Sequence, residues 1–319
     1  MVSRYIIQYP LLTGQAGNPP APEEAPVKPP RYFAASTVAE ASDILTAEEG
    51  AYVIAGGTDL VVRMRDGLIR PAVLVDIQRI PDLAAVGGGD GHLRIGATVT
   101  IAALLESVQV RHLAPLLAEA AAQMGAVQLR NLATVGGNLA SAVPSADLAP
   151  PLIVLGAVAR IAAAAGERTL PVEEFFVGPH RSALRRGEIL TAVEVPLSGE
   201  GSGAAFAKFG RRSAQVLAVV NAAAWVRLRQ GVVEDVRIAL GAVAPTPLRV
   251  RAAEDLLRGR PPDPRHLDEA ATAAVRETKP ISDMRASADF RRHLSRVLVR
   301  RALERAVGRA REMEQTHAL

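Results

Sequence analysis

The segment that most limits what this chain can fold into lies at residues 129–151 and reads LRNLATVGGNLASAVPSADLAPP. It combines a glycine pair, an amide, small hydroxyls and one carboxylate, a composition too polar for a hydrophobic core. Because glycine reaches positive φ at low cost, we expect Gly136 and Gly137 to turn the backbone and bring N–H groups close to a ligand. The pattern predicts a loop built around a phosphorylated cofactor.

A second glycine pair lies in AGGTDL at residues 55–60, and each pair directly precedes a predicted helix. A helix start presents unpaired N–H groups and the positive end of the helix dipole, so two starts that converge would hold a pyrophosphate from both sides. Neither segment has the GxGxxG spacing of a Rossmann fold or the GxxxxGK[ST] pattern of a P-loop. Since a single glycine pair more often marks only an ordinary turn, the prediction depends on both segments together.

The composition narrows the chemistry available to this polypeptide. A chain of 319 residues is long enough for two or three hydrophobic cores. With no cysteine, it offers no thiolate nucleophile, disulfide, iron–sulfur ligand or cysteine zinc site. The six histidines include no HExxH and no close pair, so we expect no metal site.

The net charge of +4 raises the question of a nucleic-acid partner. The arginines of the last predicted helix alternate with Glu304 and Glu312, and aromatic residues make up only 3% of the chain. We therefore expect no nucleic-acid binding, and interpret the arginines as a solvated face or as a surface for an acidic partner subunit. No apolar run approaches the roughly 18 residues of a membrane span and the N-terminus lacks a signal pattern, which favours a cytoplasmic location without an integral membrane segment.

The hydrophobic pattern predicts an α+β protein with four parts. Residues 1–30 form an N-terminal segment and a proline-rich linker, 31–80 a small α/β unit, 81–200 an α+β unit, and 201–319 a sheet followed by helices, with a break at 198–203. The predicted strands are 52–55, 72–77, 92–97, 157–164, 188–196, 204–210, 216–228 and 233–243. The predicted helices are 37–47, 59–66, 111–124, 147–155, 249–259, 265–277 and 285–312.

Several motifs then occur in one order along the chain: AGGTDL, IGATVTIAALLES at 95–107, LRNLATVGGNLASAVPSADLAP, FF at 175–176, EILTAVEVP, FAKFGRRSA and GAVAPTPLRV. In this order the chain resembles the FAD-binding medium subunit of the molybdenum hydroxylases. That family includes carbon monoxide dehydrogenase, bacterial aldehyde and N-heteroaromatic dehydrogenases, and the flavin domain of xanthine dehydrogenase. The resemblance covers roughly residues 31–310.

The resemblance implies the FAD fold of the p-cresol methylhydroxylase type, in which two subdomains hold the cofactor, followed by a C-terminal domain of three antiparallel strands and three helices. It also implies that the two glycine segments line the two sides of the FAD pyrophosphate. These residues are Ala55, Gly56, Gly57, Thr58 and Asp59 on the first side, and Thr134, Val135, Gly136, Gly137 and Asn138 on the second.

Three further residues are placed near FAD by the same resemblance. Asp147 would accept hydrogen bonds from a hydroxyl of the adenosine ribose or ribityl region, although a carboxylate that only begins a helix fits the pattern too. Leu190 would contact the isoalloxazine or adenine, or simply face the core from a strand. Lys208 would place a cation near the reduced flavin, or be a surface lysine at a strand end. No catalytic residue is expected in this chain.

The chain also departs from the family pattern. Where xanthine-dehydrogenase-like members have a Gly-Tyr-Arg run after FF, this chain has Gly178, Pro179, His180 and Arg181. No tyrosine ring would cover the flavin from that position, which puts the NAD-reducing version of the activity in doubt. The extra iron–sulfur cluster of some medium subunits is excluded because the chain lacks cysteine.

The function implied is that of an electron-transfer subunit. A large subunit with the molybdenum cofactor and a small subunit with [2Fe-2S] clusters would be its partners, in a dimer of heterotrimers, and FAD would pass electrons to a quinone, a cytochrome, oxygen or NAD. One alternative is a stand-alone flavin oxidoreductase, for which residues 201–319 are a small substrate domain. Another is an assembly subunit that has lost its flavin.

Overall fold

The computed structural model describes residues 29–197, 199, 201–212 and 215–316. Most of the predicted N-terminal segment and linker, and part of the predicted break at 198–203, lie outside these residues. The described part contains both helices and sheets, and the prediction of an α+β protein is confirmed.

The first sheet is parallel and has the order β1-β3-β2. Its members are β1 (Arg31–Ala34), β2 (Ala51–Ile54) and β3 (Val73–Asp76), with α1 (Val38–Ala47) and α2 (Leu60–Arg65) along the chain between them. Thr37, where the predicted helix 37–47 begins, caps α1, because its hydroxyl accepts a hydrogen bond from the Glu40 N–H at 3.1 Å. β3 lies in the centre and is buried at every position, whereas β1 at the edge was not predicted.

The second sheet is antiparallel, in the order β4-β5-β10-β6-β7. Its strands are β4 (Val86–Gly89), β5 (His92–Gly96), β6 (Val158–Ala163), β7 (Gly166–Pro171) and β10 (Ile189–Pro196), and a hairpin of β8 (Phe176–Gly178) and β9 (Arg181–Ser182) lies beside it in the chain. The three central strands were predicted. The edge strands β4 and β7 were not, because VGGG and GERTLP lack apolar alternation.

Six short helices accompany this sheet: α3 (Ile101–Glu106), α4 (Val108–Leu113), α5 (Pro115–Ala122), α6 (Val127–Arg130), α7 (Val135–Ala140) and α8 (Ala149–Val154). The single helix predicted for 111–124 is wrong, since the structure has α4 and α5 there. Pro115 has no N–H to continue α4 and instead occupies the first turn of α5.

The third sheet is antiparallel and contains β11 (Ser202–Phe209), β12 (Val220–Arg229), β13 (Val232–Gly241) and the two-residue β14 (Leu248–Arg249). The helices α9 (Arg251–Asp255), α10 (Pro264–Glu277) and α11 (Ala288–Thr316) follow. The predicted three strands and three helices are present, with β14 in addition. β11 and α11 pack closely because Gly203 of β11 has no side chain, and a Cβ there would lie 2.3 Å from the carbonyl oxygen of Ala306.

The hydrophobic cores connect the sheets rather than separate them. The largest cluster contains second-sheet residues and also Phe206, Ala223, Trp225 and Ala239 from the third sheet. The other face of the third sheet packs on α10 and α11. The division of the chain at residue 201 therefore stays a prediction. Across the described ranges, no helix is both long enough and apolar enough to cross a membrane.

Candidate functional site

A cleft made of two adjoining cavities runs from the first sheet, past α7 and the start of β10 in the second sheet, to loops of the third sheet. The smaller cavity, of about 440 Å³, is lined by the segment after β2, by α7 and by the start of β10. The larger cavity, of about 810 Å³, extends from α7 to the loops after β13 and before α11. Five residues line both cavities, and we call them the junction: Thr58, Asp59, Gly137, Ser141 and His180.

The first glycine segment forms one wall of the smaller cavity. All five of its predicted site residues line that cavity: Ala55, Gly56, Gly57, Thr58 and Asp59. Gly57 adopts a φ of +67°, and a Cβ at Gly56 would lie 1.9 Å from the Leu132 carbonyl oxygen. Only glycine permits this conformation and this close approach at low cost.

This segment also has free hydrogen-bond donors. In the described part of the chain, the backbone N–H groups of residues 56–59 have no hydrogen-bond partner. Four consecutive donors on a cavity wall that have no acceptor within the protein can bind an acceptor-rich ligand there.

The second glycine segment has a different local structure from the one predicted. Gly136 and Gly137 do not have positive φ but lie in the first turn of α7, whose N-terminal cap is Thr134. The Gly136 N–H donates to the Ala97 carbonyl at 2.8 Å and the Gly137 N–H to the Thr134 hydroxyl at 3.0 Å. The expectation of a positive-φ turn with free donors is wrong here, because the protein itself pairs these groups.

The glycines of α7 instead allow close packing. A Cβ at Gly136 would lie 2.6 Å from the Ala97 Cβ, so α7 approaches the end of β5 more closely than a larger residue would allow. Thr134, Gly136 and Gly137 line the smaller cavity and Asn138 the larger one. Val135 is buried and lines neither of these two cavities.

Asp147, Lys208 and Asn221 form a buried polar cluster beside the larger cavity. The Lys208 Nζ donates to Asp147 Oδ2 at 2.6 Å and to the Gln123 carbonyl at 2.9 Å, and the Asn221 amide donates to Asp147 Oδ1 at 2.9 Å. Burial raises the pKa of Asp147, and the positive charge of Lys208 and the hydrogen bonds from Lys208 and Asn221 oppose this rise. Asp147 lines the larger cavity, and Lys208 lies behind it.

The structure decides between some of the alternatives left by the sequence. Lys208 is not a surface lysine, because only 4% of its side chain is exposed. Leu190 is both a core residue and part of the wall of the smaller cavity, so its two interpretations describe the same position. The predicted contacts of Asp147, Leu190 and Lys208 with a cofactor stay predictions.

Part of the site was not found from the sequence. Ala242, Lys279, Asp283 and Arg291 line the larger cavity. The buried Arg291 guanidinium donates to the Val219 and Ala242 carbonyls at 2.6 and 3.1 Å and to Asp283 at 2.9 Å. Burial disfavours the charged form of Asp283, but the N–H of Arg285, the guanidinium of Arg291 and the N–H of Ala286 outweigh it and lower the pKa to about 2. Of these four residues, only Ala242 lies in a quoted motif, GAVAPTPLRV, and no sequence signal pointed to the other three.

Two parts of the chain match known protein families. Residues 26–198 match the family described as the FAD binding domain in molybdopterin dehydrogenase, and residues 204–306 match the CO dehydrogenase flavoprotein C-terminal domain. The chain therefore belongs to the family of FAD-binding medium subunits of the molybdenum-containing dehydrogenases, a family of oxidoreductases.

Individual relatives support this membership over nearly their full lengths. The chain is 34% identical over 282 residues to the xanthine dehydrogenase FAD-binding subunit of Escherichia coli O157:H7, covering 88% of this chain and 96% of the relative. It is 33% identical to the carbon monoxide dehydrogenase medium chain of Hydrogenophaga pseudoflava over 284 residues, covering 88% and 99%.

Solved structures show the same fold. A chain of the H. pseudoflava carbon monoxide dehydrogenase superposes with a TM-score of 0.86 at 34% identity, covering 88% of this chain and 98% of that one. A chain of quinoline 2-oxidoreductase from Pseudomonas putida 86 gives a TM-score of 0.84 at 30% identity, with 89% and 99% covered. The resemblance to the FAD fold and to this family is confirmed.

Proposed function

We propose that this chain holds FAD along the two joined cavities and acts as the electron-transfer subunit of a molybdenum-containing hydroxylase. FAD has a ring system at each end and a diphosphate and ribityl chain between them. The cleft has a matching division, with one cavity on each side of a junction formed only by polar residues and glycine. An apolar wall that includes Ile54, Ile77 and Leu190 suits a ring in the smaller cavity.

The unpaired N–H groups of residues 56–59 are the observation that carries this proposal. They would donate to the diphosphate oxygens, because Thr58 and Asp59 also belong to the junction where the two cavities meet. Such donors bind phosphate oxygens without needing a cationic side chain. The second predicted wall would act differently, with α7 placing Gly137 and Asn138 against the cofactor and Val135 supporting the helix from the core.

Bound FAD supplies redox chemistry, accepting electrons one at a time and releasing them singly or in pairs. This chain would orient the cofactor and set its electrostatic surroundings. Asp147 would accept a hydrogen bond from a cofactor hydroxyl at the larger cavity, and Lys208 would hold that carboxylate ionised. Since the pair carries no net charge, its influence on the flavin would be weaker than that of a free lysine.

The assembly and the electron path complete the proposal. Electrons would arrive from [2Fe-2S] clusters on a small subunit, after substrate oxidation at the molybdenum cofactor of a large subunit, and leave to a quinone, a cytochrome, oxygen or NAD. We further propose a dimer of heterotrimers and a cytoplasmic location. The names of the relatives support the subunit role, since several are medium chains or FAD-binding subunits of dehydrogenases.

Purification of the full chain from its own host tests the proposal. We expect two other subunits to co-purify with it, and the complex to contain FAD, iron and molybdenum. A yellow chain that oxidises substrates without partners would favour the stand-alone oxidoreductase, and a complex without flavin would favour the assembly subunit.

Filling the smaller cavity tests where the cofactor lies. Ala140 lines this cavity at the end of α7, so Ala140→Phe should place a ring in the proposed cofactor volume and give a complex with little FAD. Ala39→Phe makes the same change on an exposed position of α1 and should leave the FAD content unchanged. Full FAD content in Ala140→Phe would contradict the location.

A further inference from the structure

His180 occupies an unusual backbone position at the junction. It is the second residue of the two-residue connection between β8 and β9, and its φ is +56°. This left-handed conformation is cheapest for glycine and uncommon for a residue with a side chain. The position is held from one side, because the His180 N–H donates to the Ala142 carbonyl at 2.9 Å, and Ala142 is itself left-handed with a φ of +45°.

Several left-handed residues are gathered at this cleft. His180, Gln215 and Ala242 line the larger cavity, and Ala142 binds His180 directly behind it. By contrast, left-handed Gln230 lies in the tight turn between β12 and β13, away from both cavities. Unfavourable backbone conformations that concentrate at a cavity indicate a requirement of the site rather than of the chain trace.

The chemistry of the junction identifies what the imidazole would contact. Of the five junction residues, His180 has the only ring nitrogen, and Asp59 contributes a carboxylate that opposes a bound anion. Arg63 lies 3.8 Å from Asp59 and offsets that charge only in part. A linker rich in phosphate and hydroxyl oxygens at this point calls for a further donor, and an exposed imidazole can supply one.

We infer that His180 is a positioning residue for the cofactor, whose imidazole donates a hydrogen bond to an oxygen of the diphosphate and ribityl linker where the two cavities meet. The inference rests on the proposed function, since it takes FAD as the occupant of the cleft. It gives a reason for histidine at a turn position where glycine would fit the backbone better.

The test separates the side chain from the backbone. In the purified complex, with its flavin removed and FAD added back, His180→Gly keeps the left-handed turn but lacks the ring. We expect the Kd for FAD to rise roughly tenfold, as for one lost hydrogen bond to a charged acceptor, while the unfolding midpoint stays at or above that of the parent. His180→Asn, which tolerates the same backbone and retains an amide donor, should recover part of the affinity.

Gln230→Gly is the matched control, because it replaces a left-handed residue by glycine away from the cavities, and it should leave the Kd unchanged. If His180→Gly binds FAD with parental affinity, His180 is only a turn residue. If Gln230→Gly loses as much affinity as His180→Gly, the loss does not come from the imidazole and the inference is overturned. A parent complex that binds no FAD would overturn the proposed function itself, which is a different result.

Discussion

Asp147 and Lys208 are 61 positions apart in the chain, yet their side chains form an ion pair of 2.6 Å with 10% and 4% of their surfaces exposed. Asp147 comes from the segment before α8 and Lys208 from β11. The pair therefore ties the wall of the larger cavity to the third sheet, and it does so in a nearly dry environment where each charge depends on the other.

Loss of one partner should be costly. We expect Asp147→Ala to lower the free energy of unfolding by roughly 3–5 kcal/mol, because it leaves the Lys208 charge buried without a counter-ion. The double variant Asp147→Leu, Lys208→Met should lose clearly less than the single variant. Chemical denaturation measures both values. Equal losses in the two would show that the cost comes from packing and not from the charge.

An exposed pair provides the comparison. Arg65 contacts Asp66 at 3.1 Å with 73% of its side chain exposed. Arg65→Ala should therefore change stability by less than about 1 kcal/mol, as is usual for surface ion pairs.

A larger side chain at Gly136 should destabilise the protein. A Cβ there would lie 2.6 Å from the Ala97 Cβ and 2.7 Å from its carbonyl oxygen, so Gly136→Ala must push α7 away from β5. We expect a loss of roughly 1–3 kcal/mol in stability, from overpacking, together with weaker FAD retention. Thermal unfolding and flavin absorbance of the purified complex measure the two effects.

Gly87→Ala serves as the control for that substitution. A Cβ at Gly87 meets nothing within 4 Å and its φ is not positive, so the variant should match the parent in both measurements. If Gly136→Ala also matched the parent, the close approach of α7 to β5 would be refuted.

The stability of the protein should depend on pH through Asp283. Its pKa is about 2 in the folded state and 3.8 in the reference state, so the folded state favours the ionised form. This contribution is complete above about pH 4 and is lost as the pH falls through the folded value of about 2, and it amounts to roughly 2 kcal/mol.

Asp283→Asn should remove that part of the acid dependence. Compared with the parent, the variant should be less stable at pH 7 and should lose less stability between pH 4 and pH 2, as followed by urea denaturation at each pH. Parallel curves for the two proteins would show that the folded protein does not hold Asp283 ionised.

Glu254 should be more important for stability than its position on a short helix suggests. Its side chain is fully buried and accepts hydrogen bonds from Arg249 Nε at 2.8 Å and from the Ile238 N–H at 3.0 Å. Glu254→Ala would leave these donors without their partner inside the protein, so we expect a loss of roughly 3–5 kcal/mol in denaturant titrations. A change below 1 kcal/mol would show that water replaces the carboxylate.

Sequence-based expectations succeeded where the signal was local. The helix that starts at Thr37 and the long strands of the third sheet follow from patterns within a few residues. The edge strands β4 and β7 were missed because none of their residues is buried, so their glycine-rich and charged sequences have no apolar period-2 pattern.

The sequence by itself determined the α+β class, the two glycine segments, and the motif order that places the chain in its family. Only the tertiary structure decided which of these groups are paired. The N–H groups of residues 56–59 stay free, whereas those of Gly136 and Gly137 donate to Ala97 and Thr134. It also decided that Asp147 pairs with Lys208. The physical reason is that a glycine pair only widens the range of backbone conformations open to the chain. The partner of each donor or charge depends on which distant segments pack beside it.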